Sequence, residues 1–112
     1  MAIPPVLRSL LTATGPSGYE TAPAAVFREA AGAFGEVSGD VMGSSWARVK
    51  GTGDGPTLAI VGHIDEIGLI VTHIDDDGYL RFTGVGGWDT QILVGQRLEI
   101  ATRDGVVPGV IG

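Results

Sequence analysis

His63, Asp65 and Glu66 are the residues of this chain whose types and spacing are best suited to chemistry. They follow the apolar run Leu58-Ala59-Ile60-Val61 and Gly62. If that run is a strand, it delivers an imidazole and two carboxylates to the edge of a sheet, where α/β enzymes commonly keep their sites. Residues two apart on a strand share a side, so His63 and Asp65 are neighbours while Ile64 turns into the core. An imidazole there can bind a divalent metal through one nitrogen. A carboxylate on the other nitrogen fixes the tautomer and raises the ring's basicity. Glu66 points the other way if the strand continues. The same spacing also suits a histidine whose hydrogen bond is only structural, and His-x-Asp by itself does not separate the two.

The remaining motifs carry less chemistry. His73 and Asp75 repeat the His-x-Asp spacing, but a strand leading into Asp75-Asp76-Asp77-Gly78 reads as a solvated hairpin. The three aspartates lack the alternating oxygen ligands and terminal Glu of an EF-hand loop. Gly84 to Gly87 lacks the Lys-Ser/Thr of a phosphate-binding loop, and no helical pattern follows it. Trp46 and Trp88 read as packing or interface anchors. No serine sits in a nucleophile elbow.

Composition narrows the classes. The chain has 112 residues and 44% hydrophobic content, the length of one modest domain with enough apolar residues for a core. A net charge of -6 argues against nucleic acid or an anionic membrane as partner. With 0 cysteines, any metal must be held by His and carboxylate oxygen. No apolar run approaches the roughly 20 residues that span a bilayer. Met1 to Leu11 lacks the basic and apolar regions of a signal peptide, so a cytoplasmic location is expected. The 19 glycines lie between short apolar segments without a period and read as turn punctuation.

The elements that must position these residues can be read in order. Pro4 and Pro5 suit a helix start, with Val6, Leu7, Leu10 and Leu11 at helical spacing. Thr14-Gly15-Pro16 ends that helix. Ser17-Gly18-Tyr19-Glu20 has the form of a capping box for a second helix reaching about Phe34. Pro23 is compatible with that helix only within its first turn. From Glu36 onward the texture is β. Strands are expected over Val37–Met42, Ser45–Val49 and Thr57–Gly62, the last apolar on both faces as a covered central strand would be. Ile67–Ile74 and Tyr79–Thr83 should form a hairpin about the Asp75–Gly78 turn, and Leu98–Thr102 with Val106–Ile111 another. The composition shifts near residue 70, from helices and buried strands to short strands and tight turns. Residues 1–70 read as an α/β layer and residues 71–112 as part of a small β-barrel.

Several segments, in order, carry a resemblance. They are Leu10-Leu11, Gly15-Pro16-Ser17-Gly18-Tyr19-Glu20, Asp40-Val41-Met42-Gly43, Gly62-His63-Ile64-Asp65-Glu66-Ile67-Gly68 and Asp77-Gly78-Tyr79-Leu80-Arg81-Phe82. Beyond them come Gly86-Gly87-Trp88-Asp89, Leu93-Val94-Gly95-Gln96 and Gly105-Val106-Val107-Pro108-Gly109-Val110-Ile111-Gly112. Together they resemble the N-terminal part of the TET-type metalloaminopeptidases, the group of glutamyl and deblocking aminopeptidases. Ser44 stands where that group usually has Asn.

The resemblance implies a mixed-sheet α/β metallopeptidase domain, its N-terminal part at 1–70. This leads into an inserted β-barrel-like dimerisation domain that begins at 71–112. It implies a site of two divalent metal ions, zinc or cobalt, with His63 as a metal ligand and Asp65 as the catalytic residue that orients it. It also implies a peptide substrate and a homo-oligomer. The other ligands and the general-base Glu belong, by the same resemblance, to a C-terminal region outside these residues. The expected function is therefore that of the N-terminal portion of a two-metal aminopeptidase, inactive as it stands. The alternative is a non-catalytic module that self-associates or pairs with a complementary chain, through the β surface around Gly84 to Val94.

Overall fold

The structure, a computed structural model, describes residues 2–112. Helix α1 spans Pro5–Thr12 and helix α2 spans Thr21–Gly32. The proline pair opens α1 because the first helical amides need no intrahelical partner. Pro23 lies in the first turn of α2, where it is tolerated, and it is fully buried. The capping-box reading of Ser17 does not hold. α2 starts at Thr21 with Glu20 as its cap residue and no side-chain cap bond. Glu20 instead accepts from the Gly18 amide at 2.6 Å. Ser17 is released for another partner.

Strands β1 (Glu36–Gly39) and β2 (Ser45–Arg48) form an antiparallel hairpin against α2. Its strands are shorter than the apolar pattern suggests because Asp40 turns the chain. The Asp40 carboxylate accepts from the Met42 and Ser44 amides, each at 3.0 Å, and Gly43 supplies the positive φ of 92°. Ser44 takes part in this turn through its backbone amide and carbonyl.

Strands β3 (Gly68–Ile74) and β4 (Leu80–Val85) form the second hairpin, and β5 (Arg97–Thr102) with β6 (Gly105–Val110) the third. The β3–β4 turn is built on Asp75, whose carboxylate accepts from the Tyr79 amide at 2.8 Å. A bulge between Val71 and His73 interrupts the β3–β4 ladder, and His73 is exposed beside it, as a hairpin residue should be. The 3-10 turn Thr90–Ile92 leads to Leu93, which with Ile111 is buried at the base of the last hairpin. The fold is thus mixed α/β with small sheets, each of two strands.

Two expectations are corrected. Thr57–Gly62 forms no strand: among the described residues nothing hydrogen-bonds to its backbone. A strand exists only with a neighbour to share its amides and carbonyls. Leu58, Ile60 and Val61 are accordingly 84%, 93% and 90% exposed. Nor does the hydrophobic content make a large core. Among the described residues the buried apolar side chains are Ala24, Ala31, Leu93 and Ile111, with Pro23. The apolar residues are dispersed over separate two-stranded sheets, which cannot enclose them. The radius of gyration of 18.1 Å reflects this, against roughly 13 Å for a compact chain of this length.

Candidate metal centre

The site forms where the loop after α1 meets the segment before β3. Pro16 and Glu66 form an isolated parallel bridge. The Ser17 amide donates to the Glu66 carbonyl at 3.2 Å, and the Glu66 amide donates to the Gly15 carbonyl at 3.0 Å. The Glu66 side chain closes the same contact by accepting from the Gly15 amide at 3.0 Å. Glycine is needed on both sides of this junction. A Cβ on Gly15 would lie 2.5 Å from Pro23 Cγ, and one on Gly68 would lie 2.5 Å from Pro16 Cβ. The loop is thereby pressed between α2 and the start of β3. On the far side Trp88 donates its indole N–H to the Gly68 carbonyl at 2.9 Å. Trp88 is therefore a packing residue.

This junction carries His63 and Asp65. The His63 Nδ1 and Asp65 Oδ1 lie 2.8 Å apart, and the same ring nitrogen is 3.2 Å from the Asp65 carbonyl oxygen. The Asp65 Oδ2 accepts from the Ser17 hydroxyl at 2.5 Å. That hydrogen bond, with the His63 contact, holds the Asp65 carboxyl below the ordinary carboxylate range. An anionic Asp65 against Nδ1 places the imidazole proton on Nδ1 and leaves the Nε2 lone pair outward. The His63 side chain is 85% exposed, against 35% for Asp65. It stands at the rim of an open cleft of about 490 Å³, whose apolar lining includes Phe27, Trp46 and Ile60.

The predicted pair is thus brought together, although the residues before it, 57–62, form no strand. Glu66 is turned to the loop, away from the pair. Ser17 was not legible as part of this cluster, because its partner lies 48 residues away and its local pattern suits a helix cap. Among the described residues no three His, Cys, Asp or Glu side chains gather into a metal cage. The donor chemistry fits one imidazole ligand with its orienting carboxylate.

Comparison with known proteins gives the family of the chain. The sequence model of the M42 glutamyl aminopeptidases matches residues 43–112, which include His63, Asp65 and Glu66. The chain belongs to the M42 glutamyl aminopeptidase family. Among similar M42 relatives, FrvX of Escherichia coli K12 is 53% identical over 78 residues, covering 69% of this chain and 21% of its own. The lysyl aminopeptidase of Pyrococcus furiosus is 33% identical over 112 residues, covering 96% of this chain and 31% of its own. The crystal structure of a TET aminopeptidase from a marine sediment thaumarchaeon superposes with a TM-score of 0.86 at 40% identity. It covers 94% of this chain and 30% of that one. The M42 chain described here spans between about a fifth and a third of the length of these relatives. Among its described residues no helix is long and apolar enough to cross a membrane.

Proposed function

We propose that this chain contributes one metal ligand, and the residue that orients it, to a two-metal aminopeptidase site acting on peptide N-termini. The observation that carries the reading is the 2.8 Å contact between His63 Nδ1 and Asp65 in an M42 family member, with Nε2 turned outward. His63 is the ligand through Nε2. Asp65 holds the ring in that orientation and keeps the proton on Nδ1. Zinc or cobalt suits an imidazole with oxygen donors, and such an ion supplies Lewis-acid polarisation of a peptide carbonyl when bound. The apolar cleft beside His63 is wide enough to receive a small side chain.

In the same reading residues 1–70 belong to the α/β peptidase domain. The hairpins of residues 71–112 begin an inserted β-barrel-like domain that mediates association. The likeness to a solved TET aminopeptidase supports a homo-oligomer, and a cytoplasmic location remains part of the proposal. Titration of zinc or cobalt into the chain and into His63→Ala tests the central claim. Weaker uptake by the variant is expected, and equal uptake by both removes His63 from the site.

A second reading, a non-catalytic module that self-associates or pairs with a complementary chain, is favoured by one observation. Leu58, Ile60 and Val61 are exposed on a segment whose backbone has no hydrogen-bond partner among the described residues, and such free backbone groups invite strand addition. Ile92 and Val94, in the loop before β5, are likewise 58% and 71% exposed. Size-exclusion chromatography at several concentrations tests it, and a strictly monomeric, well-folded chain counts against it.

A further inference from the structure

We infer that Ser17 is a positioning residue for His63, acting through Asp65, so that the loop after α1 sets which nitrogen the imidazole presents to a divalent metal ion. This rests on the reading of His63 as a ligand and adds to it a residue distant in sequence.

The argument begins with how little else holds the imidazole. The His63 side chain is 85% exposed, and its only hydrogen-bond contacts among the described residues are with Asp65. The ring therefore takes its orientation from Asp65, closely from the carboxylate at 2.8 Å and more loosely from the carbonyl at 3.2 Å. The carboxylate torsion of an aspartate is broad and roughly two-fold, so one hydrogen bond to one oxygen fixes it weakly. Asp65 has a contact on each oxygen: His63 on Oδ1 and the Ser17 hydroxyl on Oδ2. Two opposed contacts set the carboxylate plane, and the plane sets the ring.

Ser17 is in turn held firmly. Its amide donates to the Glu66 carbonyl at 3.2 Å, and the Tyr19 amide donates to the Pro16 carbonyl at 2.8 Å. Pro16 before it has a fixed φ and sits against Gly68 where no Cβ would fit. The chain of contact therefore runs from α2 through Pro23 and Gly15 to Ser17, then to Asp65 and His63.

Two other roles for Ser17 are excluded by the geometry. It caps no helix, since α2 has no side-chain cap bond. It is not poised as a nucleophile. In a hydrolase triad the serine hydroxyl meets the imidazole and the carboxylate meets the far nitrogen, whereas here hydroxyl and imidazole both meet the carboxylate.

The test compares the full 112-residue chain as wild type, Ser17→Ala and Ser17→Thr, labelled with nitrogen-15. Without metal, long-range proton–nitrogen correlation of His63 at a pH where the ring is neutral reads the tautomer. Wild type and Ser17→Thr should carry the proton on Nδ1, and Ser17→Ala should move a measurable part of the population to Nε2, the Asp65 carbonyl retaining the rest. Titration with cobalt(II) should then show Ser17→Ala binding about tenfold or more weakly, the usual cost of removing an outer partner, with Ser17→Thr recovering most of it. Unchanged imidazole signals in Ser17→Ala overturn the proposal. If Ser17→Ala loses its dispersed amide spectrum, Ser17→Cys takes its place with the same two outcomes, since a thiol fills the position and is only a weak donor. Equal cobalt uptake by wild type and His63→Ala sinks the metal reading alone, and the tautomer measurement then judges the Ser17–Asp65–His63 linkage by itself.

Discussion

Gly15 and Glu66 bind each other twice. The Gly15 amide donates to the Glu66 carboxylate, and the Glu66 amide donates to the Gly15 carbonyl, both at 3.0 Å. Gly15 is buried, so its amide has no water to turn to. Glu66→Ala should leave that donor unsatisfied at a local cost of about 1–3 kcal/mol. Hydrogen exchange at Gly15 and Ser17 should accelerate by roughly one to two orders of magnitude if the junction opens locally. Glu66→Gln keeps an acceptor oxygen and should change exchange much less. Equal exchange in all three proteins would show that the side-chain contact contributes nothing.

The approach of Pro16 to Gly68 gives a second expectation. A methyl group on Gly68 would sit 2.5 Å from Pro16 Cβ, well inside contact distance. Gly68→Ala should push the loop from β3 and cost about 1–3 kcal/mol of local stability, as overpacking does. Gly87→Ala, with nothing within 4 Å of the added group, is the control. Chemical-shift changes at Ser17 and Glu66 in the first variant and none in the second are the result to look for.

Steady hydrolysis is not expected of these 112 residues by themselves. Catalytic zinc sites use three protein ligands, and among the described residues no such group assembles. Aminoacyl-nitroanilides with added zinc or cobalt should be cleaved no faster than in protein-free buffer. Turnover that a chelator abolishes would show that the chain builds its site in some other way.

Acid should loosen the junction through Asp65. The Ser17 hydrogen bond, followed by His63, lowers the Asp65 pKa in the folded chain below its unfolded value. A group so lowered stabilises the fold fully above the unfolded value and loses that contribution as pH falls through the folded one. The contacts of Asp65 with Ser17 and His63 should therefore persist through the ordinary carboxylate range and weaken below it. Carboxyl carbon-13 titration should find Asp65 protonating at lower pH than in Ser17→Ala, where its main cause of lowering is gone. Coincident titration curves would refute the assignment of that cause.

The exposed run at Leu58–Val61 should make the isolated chain adhesive. An uncharged strand-length segment with free amides and carbonyls favours edge-to-edge pairing. Ile60→Lys should reduce binding of a hydrophobic dye and reduce any concentration dependence of elution. An unchanged profile would move the adhesive surface elsewhere.

Legibility in the sequence followed the range of the interactions. The Asp75–Gly78 turn and its hairpin were readable because Asp75 and Gly78 act within a few residues. The prolines of α1 and α2 were readable for the same reason. His63 and Asp65 were paired correctly because two-residue spacing is local geometry. Thr57–Gly62 was read as a covered strand from its side chains, yet its state depends on neighbours that its own composition cannot supply. Ser17 was misread as a cap because Ser-x-x-Glu is a sound local pattern. A contact with Asp65 leaves no trace in the residues around it.

The Ser17–Asp65 contact has a consequence for the order of events during folding. It closes a loop of 48 residues, and closing a flexible loop of that length costs roughly 3–4 kcal/mol of chain entropy beyond a constant. The helices and the β1–β2 hairpin, whose contacts are short-range, can form before that closure. The imidazole acquires its orientation only when residues 15–17 and 63–66 meet, which makes the donor nitrogen one of the last features to be defined. On a ribosome, α1 and α2 would therefore emerge well before the histidine whose ring their connecting loop orients.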